Sequence, residues 1–182
     1  ACPMVGAKIV FPGNRMGHGE TLATLINEEK VSMSAGVPTV WLGLLAYLKE
    51  SGKQIDSLRM VIVGGAACPL SIMEDFDRYG VETRVGWGMT EMSPLGSVNA
   101  STAGRDNYSA SHFAKLRQKA GRPIFGVEMK IVDDDGKELP WDGEAYGSLK
   151  VRGPWICSDY YELDGDSSSH AEDGWFETGD VA

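Results

Sequence analysis

Apolar and polar positions alternate along the first two thirds of the chain between strand-like and helix-like spacing. Short runs with apolar or β-branched residues predict strands at residues 8–11, 31–34, 59–63 and 82–85. Apolar residues at helical spacing, or a proline at the first turn, predict helices at residues 20–29, 38–51 and 69–76. Strands and helices in this rhythm predict an α/β fold with a doubly wound, mostly parallel sheet.

The pattern changes after residue 93. Residues 99–111 are small and polar, as in a loop or lid, and residues 112–119 have the pattern of a short helix. Strands are predicted at residues 128–132 and 148–151, and residues 159–173 are acidic and serine-rich, as in a surface excursion. We therefore expect an α/β subdomain at residues 1–111 and a small β-rich subdomain at residues 112–182.

Composition narrows the classes of function. Of the 182 residues, 42% are hydrophobic, and 17 basic against 26 acidic residues give a formal net charge of −9. No run of Lys and Arg offers the electrostatic footprint of a nucleic-acid partner, and the longest apolar stretch, residues 37–48, is too short to span a bilayer. Cys2, Cys68 and Cys157 lack metal-ligand spacing, so we expect free buried thiols in a reducing compartment such as the cytoplasm.

Glycine-rich turns follow two of the predicted strands. Gly64-Gly65-Ala66-Ala67 comes after the strand at residues 59–63, and Gly86-Trp87-Gly88 comes after the strand at residues 82–85. Ligands of open α/β sheets collect outside the carboxyl ends of the strands. Both turns are therefore candidates for a binding site.

The run Gly86-Trp87-Gly88-Met89-Thr90-Glu91 combines several groups useful for nucleotide binding. Glycines permit close backbone approach, and the indole offers a stacking face. The hydroxyl and carboxylate that follow suit a phosphate oxygen and a Mg²⁺ ion, which typically takes one or two carboxylates plus substrate phosphates. The alternative is a tight strand-to-helix turn with Thr90 as the helix N-cap.

Residues 86–94, Gly-Trp-Gly-Met-Thr-Glu-Met-Ser-Pro, resemble the signature of the adenylate-forming (ANL) superfamily, which includes acyl-CoA synthetases, luciferases and peptide-synthetase adenylation domains. The resemblance implies that Trp87 packs on adenine, Thr90 contacts the α-phosphate and Glu91 ligates Mg²⁺. Many members carry Tyr where this chain has Trp87, and stacking is preserved. The other residues of the run that the resemblance places at the nucleotide are Gly86, Gly88 and Met89.

Two further stretches resemble the superfamily in the same order. The turn at Gly65, Ala66 and Ala67 is similar to one whose backbone lies along adenine and the acyl-adenylate. Residues 174–180 end in Asp180, whose counterpart accepts hydrogen bonds from both ribose hydroxyls. An ionised carboxylate has two acceptor oxygens, which suits a vicinal diol.

Residues 34–45 resemble fatty-acyl ligases of the medium- to long-chain type, including bacterial enzymes for short thioether acids such as methylthiopropionate. The apolar helix in this stretch is either an acyl-channel wall or an ordinary core helix. Residues 121–123 and 147–154 resemble further landmarks of the superfamily, to which we assign no chemistry.

The resemblance implies a ligase that converts a fatty acid and ATP to acyl-AMP and then transfers the acyl group to CoA. The alternatives are an aryl or amino-acid adenylating enzyme, and a non-catalytic nucleotide-binding module. An upstream Ser/Thr/Gly-rich phosphate loop ending in Lys and a downstream C-terminal domain with a second Lys, both typical of the superfamily, do not occur in these 182 residues. We therefore expect a fragment that is inactive alone, from an enzyme whose resemblance makes a homodimer plausible.

Overall fold

A computed structural model describes residues 2–100, 108–158, 160 and 174–182. The chain divides into two compact units. Unit 1 comprises residues 1–87 and 99–121, and unit 2 comprises residues 88–98 and 122–182. The predicted boundary at residues 111 and 112 stays a prediction.

Unit 1 alternates helices and strands. In chain order its elements are α1 (Gly19–Glu28), β1 (Met33–Gly36), α2 (Pro38–Ser51), β2 (Met60–Val63), α3 (Leu70–Arg78), β3 (Glu82–Gly88, whose last residue belongs to unit 2) and α4 (Ala110–Arg117). Strands β1, β2 and β3 pair in parallel, with Met33 opposite Met60 and Met60 opposite Glu82. Helix α2 packs against both α1 and α3.

The core of unit 1 lies where α2 and α3 meet the sheet. Trp41 and Phe76 meet edge to face with ring centroids 5.8 Å apart, and the indole N–H of Trp41 donates to the Gly36 carbonyl at 3.1 Å. Apolar side chains of β2 and the helices complete this core and are almost fully buried, as for Leu44, Leu45, Leu48, Val61, Val63, Ile72 and Met73. Burial of this kind is the main stabilising contribution to such a fold.

Local sequence fixes the helix ends. Pro38 stands at the first turn of α2, where its missing N–H costs no hydrogen bond, and Gly52 ends the helix in the left-handed conformation. At the far end of α4, the Asn99 side chain donates to the carbonyls of Leu116 at 2.6 Å and Lys119 at 2.8 Å. Carbonyls left unpaired at a helix terminus are satisfied in this way.

Unit 2 is β-rich. After a short 3₁₀ helix at Thr90–Met92 come β4 (Leu95–Val98), β5 (Arg122–Pro123), β6 (Glu128–Val132), β7 (Ser148–Arg152) and β8 (Phe176–Val181). Strands β4 and β5 pair antiparallel, and β6, β7 and β8 form an antiparallel sheet with β7 in the middle. Leu149 and Val151 of β7 are buried with Ile131 and Phe176 on one face of this sheet.

The predicted α/β fold with a mostly parallel sheet and a small β-rich part is confirmed. The predicted strand at residues 8–11 is wrong, because this segment has no regular structure and leaves Phe11 78% exposed. Strand β1 begins two residues later than the helix–strand pattern indicated, and β4, β5 and β8 were not predicted. None of the helices in the described part of the chain has the length and apolar character needed to cross a membrane.

Candidate nucleotide-binding site

The first glycine-rich turn lies at the end of β2 in unit 1. The Gly64 N–H donates to the Gly36 carbonyl at 3.2 Å, and Gly65 has a φ of +76°. Gly65, Ala66 and Ala67 are all exposed. A Cβ on Gly64 would lie 3.1 Å from the Gly86 carbonyl oxygen, so the structure brings this turn next to the beginning of the second motif.

The second motif begins as part of a strand, not as a loop. Residues 86–88 continue β3 beyond the predicted end at residue 85. Gly86 is buried and Trp87 is half-buried. The Trp87 ring is therefore carried by a hydrogen-bonded element, which holds an aromatic surface more firmly than a loop does.

Gly88 is needed by the chain itself. A Cβ at this position would overlap the Pro94 carbonyl oxygen and lie 3.0 Å from the Gly96 amide nitrogen. Close backbone approach was expected here for a ligand, and the structure shows an additional, intramolecular reason for glycine. The ligand contact at Gly88 stays a prediction, while the close approach of the Pro94 backbone is seen in the structure.

Thr90 and Glu91 open the 3₁₀ helix in unit 2. Met89, with extended backbone, takes the N-cap position without a side-chain cap bond, so the alternative interpretation of Thr90 as N-cap is wrong. Met92 is fully buried and anchors the turn, while Thr90 is exposed and Glu91 is half-buried. The two polar side chains are thus held at the surface of unit 2 by an apolar residue directly after them.

The Glu91 carboxylate has a defined partner. The Tyr160 hydroxyl donates to Oε1 of Glu91 at 2.9 Å, and the Cys157 N–H donates to the Glu91 carbonyl at 2.8 Å. Neither contact was predicted, because both partners are distant in sequence. Tyr160 is 69 positions from Glu91 and falls in the predicted surface excursion. The rest of that predicted excursion, residue 159 and residues 161–173, lies outside the described residues, as do residues 101–107 of the predicted loop or lid.

Asp180 lies on β8, also in unit 2, and is exposed. Its N–H donates to the Thr178 hydroxyl oxygen at 3.1 Å, and that hydroxyl donates to the Leu149 carbonyl on β7 at 2.9 Å. The backbone around Asp180 is therefore tied to the middle strand of the sheet. The predicted contact residues are divided, with Gly65, Ala66, Ala67, Gly86 and Trp87 in unit 1 and Gly88, Met89, Thr90, Glu91 and Asp180 in unit 2.

The oxygen-bearing side chains of Thr90 and Glu91 fit a magnesium site whose remaining ligands come from substrate phosphate and water. Within the described ranges, no group of three or more His, Cys, Asp or Glu side chains converges on a point. Mg²⁺ is commonly bound through one or two carboxylates plus phosphate oxygens and water. One half-buried carboxylate beside an exposed hydroxyl, at Glu91 and Thr90, matches that arrangement.

The three cysteines differ in environment. Cys68 is 5% exposed, and burial raises the pKa of its thiol while the Arg117 charge opposes that rise. Cys157 is half-buried and Cys2 is exposed. The expectation of free thiols is confirmed for all three. The expectation of burial is confirmed for Cys68 and is wrong for Cys2, which lies in a short 3₁₀ helix whose Met4 and Val5 are also exposed.

Comparison with known proteins gives consistent matches. The chain is 48% identical over 182 residues to the 3-methylmercaptopropionyl-CoA ligase of Ruegeria lacuscaerulensis, covering 100% of this chain and 33% of the relative. It is 48% identical over 180 residues to the medium-chain-fatty-acid–CoA ligase of Ectopseudomonas oleovorans, covering 98% and 32%. The O-succinylbenzoate coenzyme A synthetase of Bacillus subtilis, solved in complex with ATP and magnesium ion, superposes with a TM-score of 0.71 at 25% identity, covering 89% and 31%.

This chain thus spans about a third of the length of the curated relatives it matches. The family model for AMP-binding enzymes matches residues 1–161, which is most of the chain. The match includes both glycine-rich turns and the Thr90–Glu91 pair. The chain belongs to the AMP-binding enzyme family.

Proposed function

We propose that these 182 residues are the part of an AMP-forming acyl-CoA synthetase that holds the AMP half of its nucleotide. The main support is the Thr90–Glu91 pair, which lies at the surface of unit 2 with the Glu91 carboxylate held by a hydrogen bond. Relatives at 48% identity named as CoA ligases support the same reaction class. In that reaction a carboxylic acid and ATP give acyl-AMP and pyrophosphate, and CoA then displaces AMP.

Each predicted residue has a role in binding or orientation. Trp87 stacks on adenine, and the turn at Gly65, Ala66 and Ala67 lies along the base and the acyl-adenylate. Asp180 accepts hydrogen bonds from the ribose hydroxyls. Fixing base and ribose places the α-phosphate in one position, which removes much of the entropic cost of reaction.

Thr90 and Glu91 act at the phosphate. The Thr90 hydroxyl donates to an α-phosphate oxygen, and the Glu91 carboxylate holds Mg²⁺. When bound, the ion neutralises negative charge that develops as the acid attacks phosphorus. Gly86, Gly88 and Met89 are the other residues of this run that we propose contact the nucleotide.

The acid is proposed to be a medium-chain fatty acid or a short thioether acid, because the two relatives at 48% identity are named for these substrates.

The enzyme is further proposed to work in the cytoplasm and to form a homodimer. Sedimentation of the full-length protein tests the dimer, which a single species of monomer mass would refute.

The test is a panel of carboxylic acids offered to the full-length protein with ATP, Mg²⁺ and CoA, scored by pyrophosphate release. We expect release with medium-chain fatty acids and methylthiopropionate that depends on the acid. Release only with aromatic or amino acids would favour an adenylating enzyme of that type. Absence of release with every acid, together with retained AMP binding, would favour a non-catalytic nucleotide-binding module.

A further inference from the structure

A segment that follows β7 reaches back to the Thr90–Glu91 pair. After Arg152 the chain passes Gly153, where a Cβ would lie 2.6 Å from the Gly126 carbonyl oxygen. The Trp155 ring then packs over Gly126, where a Cβ would lie 2.5 Å from a ring carbon. The absence of a side chain at both glycines sets the path of this segment within unit 2.

The segment is joined to the 3₁₀ helix at three points. The Ser93 hydroxyl donates to the Trp155 carbonyl at 3.2 Å, and the Cys157 N–H donates to the Glu91 carbonyl at 2.8 Å. The third point is the Tyr160 hydroxyl, which donates to Oε1 of Glu91 at 2.9 Å. The segment thus forms hydrogen bonds with the Glu91 carbonyl, the Glu91 carboxylate and the Ser93 hydroxyl at the end of the 3₁₀ helix.

A hydrogen bond at Oε1 restricts the orientation of the whole carboxylate. Carboxylates that bind metal ions are commonly oriented by a further hydrogen-bond partner, and loss of that partner typically lowers metal affinity or activity about 10- to 100-fold. Tyr160 is 37% exposed, and its hydroxyl contacts the Glu91 carboxylate directly. An oxygen that accepts from a phenol retains further lone pairs for a cation.

We propose that Tyr160 is a positioning residue for Glu91, holding the carboxylate in the orientation that binds Mg²⁺. This inference rests on the proposed function, because it takes Glu91 as the magnesium ligand. In this proposal Tyr160 is assigned no contact with the nucleotide or the acid. Its effect passes through Glu91 and is specific to the metal.

The experiment compares Tyr160→Phe, Glu91→Gln and the double variant with the full-length wild type. Tyr146→Phe is the matched control, because Tyr146 lies in the same unit and is 78% exposed. Mn²⁺ affinity is measured by electron paramagnetic resonance in the presence of AMP. The Mg²⁺ concentration for half-maximal ATP–pyrophosphate exchange is measured in parallel.

We expect Tyr160→Phe to weaken Mn²⁺ binding about 10-fold and to raise the half-saturating Mg²⁺ concentration by a similar factor. The exchange rate at saturating Mg²⁺ should stay within about twofold of wild type, because the hydroxyl acts on ion binding alone. Tyr146→Phe should match wild type. In the Glu91→Gln background, Tyr160→Phe should add nothing, since coupled residues are not additive.

Wild-type Mn²⁺ affinity in Tyr160→Phe, or an equal loss in the Glu91→Gln background, would overturn the positioning role. In either case a large loss in Glu91→Gln alone would leave the proposed function standing. Wild-type exchange in Glu91→Gln would instead refute the magnesium role of Glu91, and with it this inference.

Discussion

At the level of single residues, Glu91 is the motif residue that we propose binds Mg²⁺. Its carbonyl accepts from Cys157 and its carboxylate accepts from Tyr160, so both ends of the residue are fixed. The motif alone predicted this carboxylate as a magnesium ligand. Its partners come from a segment distant in sequence, and no local pattern marks them.

We predict that Glu91→Gln in the full-length protein lowers acid-dependent ATP–pyrophosphate exchange by about 100-fold or more, the size typical for losing a group that stabilises transition-state charge. The amide keeps the shape of the side chain and removes the negative charge that we propose holds the ion. Glu138→Gln is the control, because Glu138 is an exposed carboxylate of the same unit. Equal exchange in the two variants would contradict the assignment.

Thiol reactivity tests the environments of the cysteines. At pH 8 we expect Cys2 to react with a maleimide more than about tenfold faster than Cys68, because only the thiolate of an accessible cysteine is a good nucleophile. Burial raises the pKa of Cys68, so its thiol stays protonated as well as inaccessible. Mapping the label by mass spectrometry measures both rates, and equal rates would show that unit 1 does not bury Cys68.

At the scale of elements, the turn between β3 and β4 depends on Gly88. We predict that Gly88→Ala lowers the free energy of unfolding by about 1–3 kcal/mol, because the added methyl meets the Pro94 carbonyl and something must shift. Gly17→Ala is the matched control, since Gly17 has no atom within 4 Å of a Cβ and its φ lies outside the left-handed region. Urea unfolding of both variants measures the difference.

Gly17→Ala should be neutral or slightly stabilising, because alanine restricts the unfolded chain. Equal urea midpoints for the two variants would mean that the turn adapts to a side chain at residue 88. Close approach of the Pro94 backbone would then not explain the glycine at position 88.

The hydrophobic pattern predicted well those elements that bury several of their own apolar side chains. Strand β2 is an apolar run with Val61 and Val63 buried in the core of unit 1, and α3 buries Ile72, Met73 and Phe76. Strand β8 escaped prediction because only Phe176 of its six residues is buried, so pairing with β7 decides its structure. Residues 8–11 show the converse, an apolar run that pairs with no strand in the described part of the chain.

The candidate site follows the same division. Residues 86–91 and Asp180 were predicted as site residues from short local motifs that resemble those of a known superfamily. The extension of β3 through Gly88 and the contact from Tyr160 depend on which segments meet in the fold. Such contacts carry no sequence signal within a single chain.

At the scale of the whole molecule, the proposed contacts cover one half of the nucleotide. Trp87 and Asp180 account for base and ribose, and Thr90 for the α-phosphate. None of the predicted contact residues is Lys or Arg, so none offers positive charge to the β- and γ-phosphates. The chain also spans only about a third of its curated relatives.

We predict that the 182-residue polypeptide alone gives ATP–pyrophosphate exchange no higher than a blank without protein. Adenylate formation requires positive charge where negative charge develops. At the phosphates the predicted site residues supply only the Thr90 hydroxyl and the Glu91 carboxylate, which we propose as a magnesium ligand. The full-length protein assayed under the same conditions is the positive control. Acid-dependent exchange by the polypeptide alone would mean that these residues suffice for the first step.

Isothermal titration calorimetry of the 182-residue polypeptide measures which ligand these residues bind more tightly. The ligands are ATP with Mg²⁺ and a non-hydrolysable acyl-adenylate analogue carrying a medium-length acyl chain. If the chain holds the AMP half, the analogue should bind at least about tenfold more tightly, a difference of about 1.4 kcal/mol. ATP binding as tight as that of the analogue, or tighter, would contradict the account.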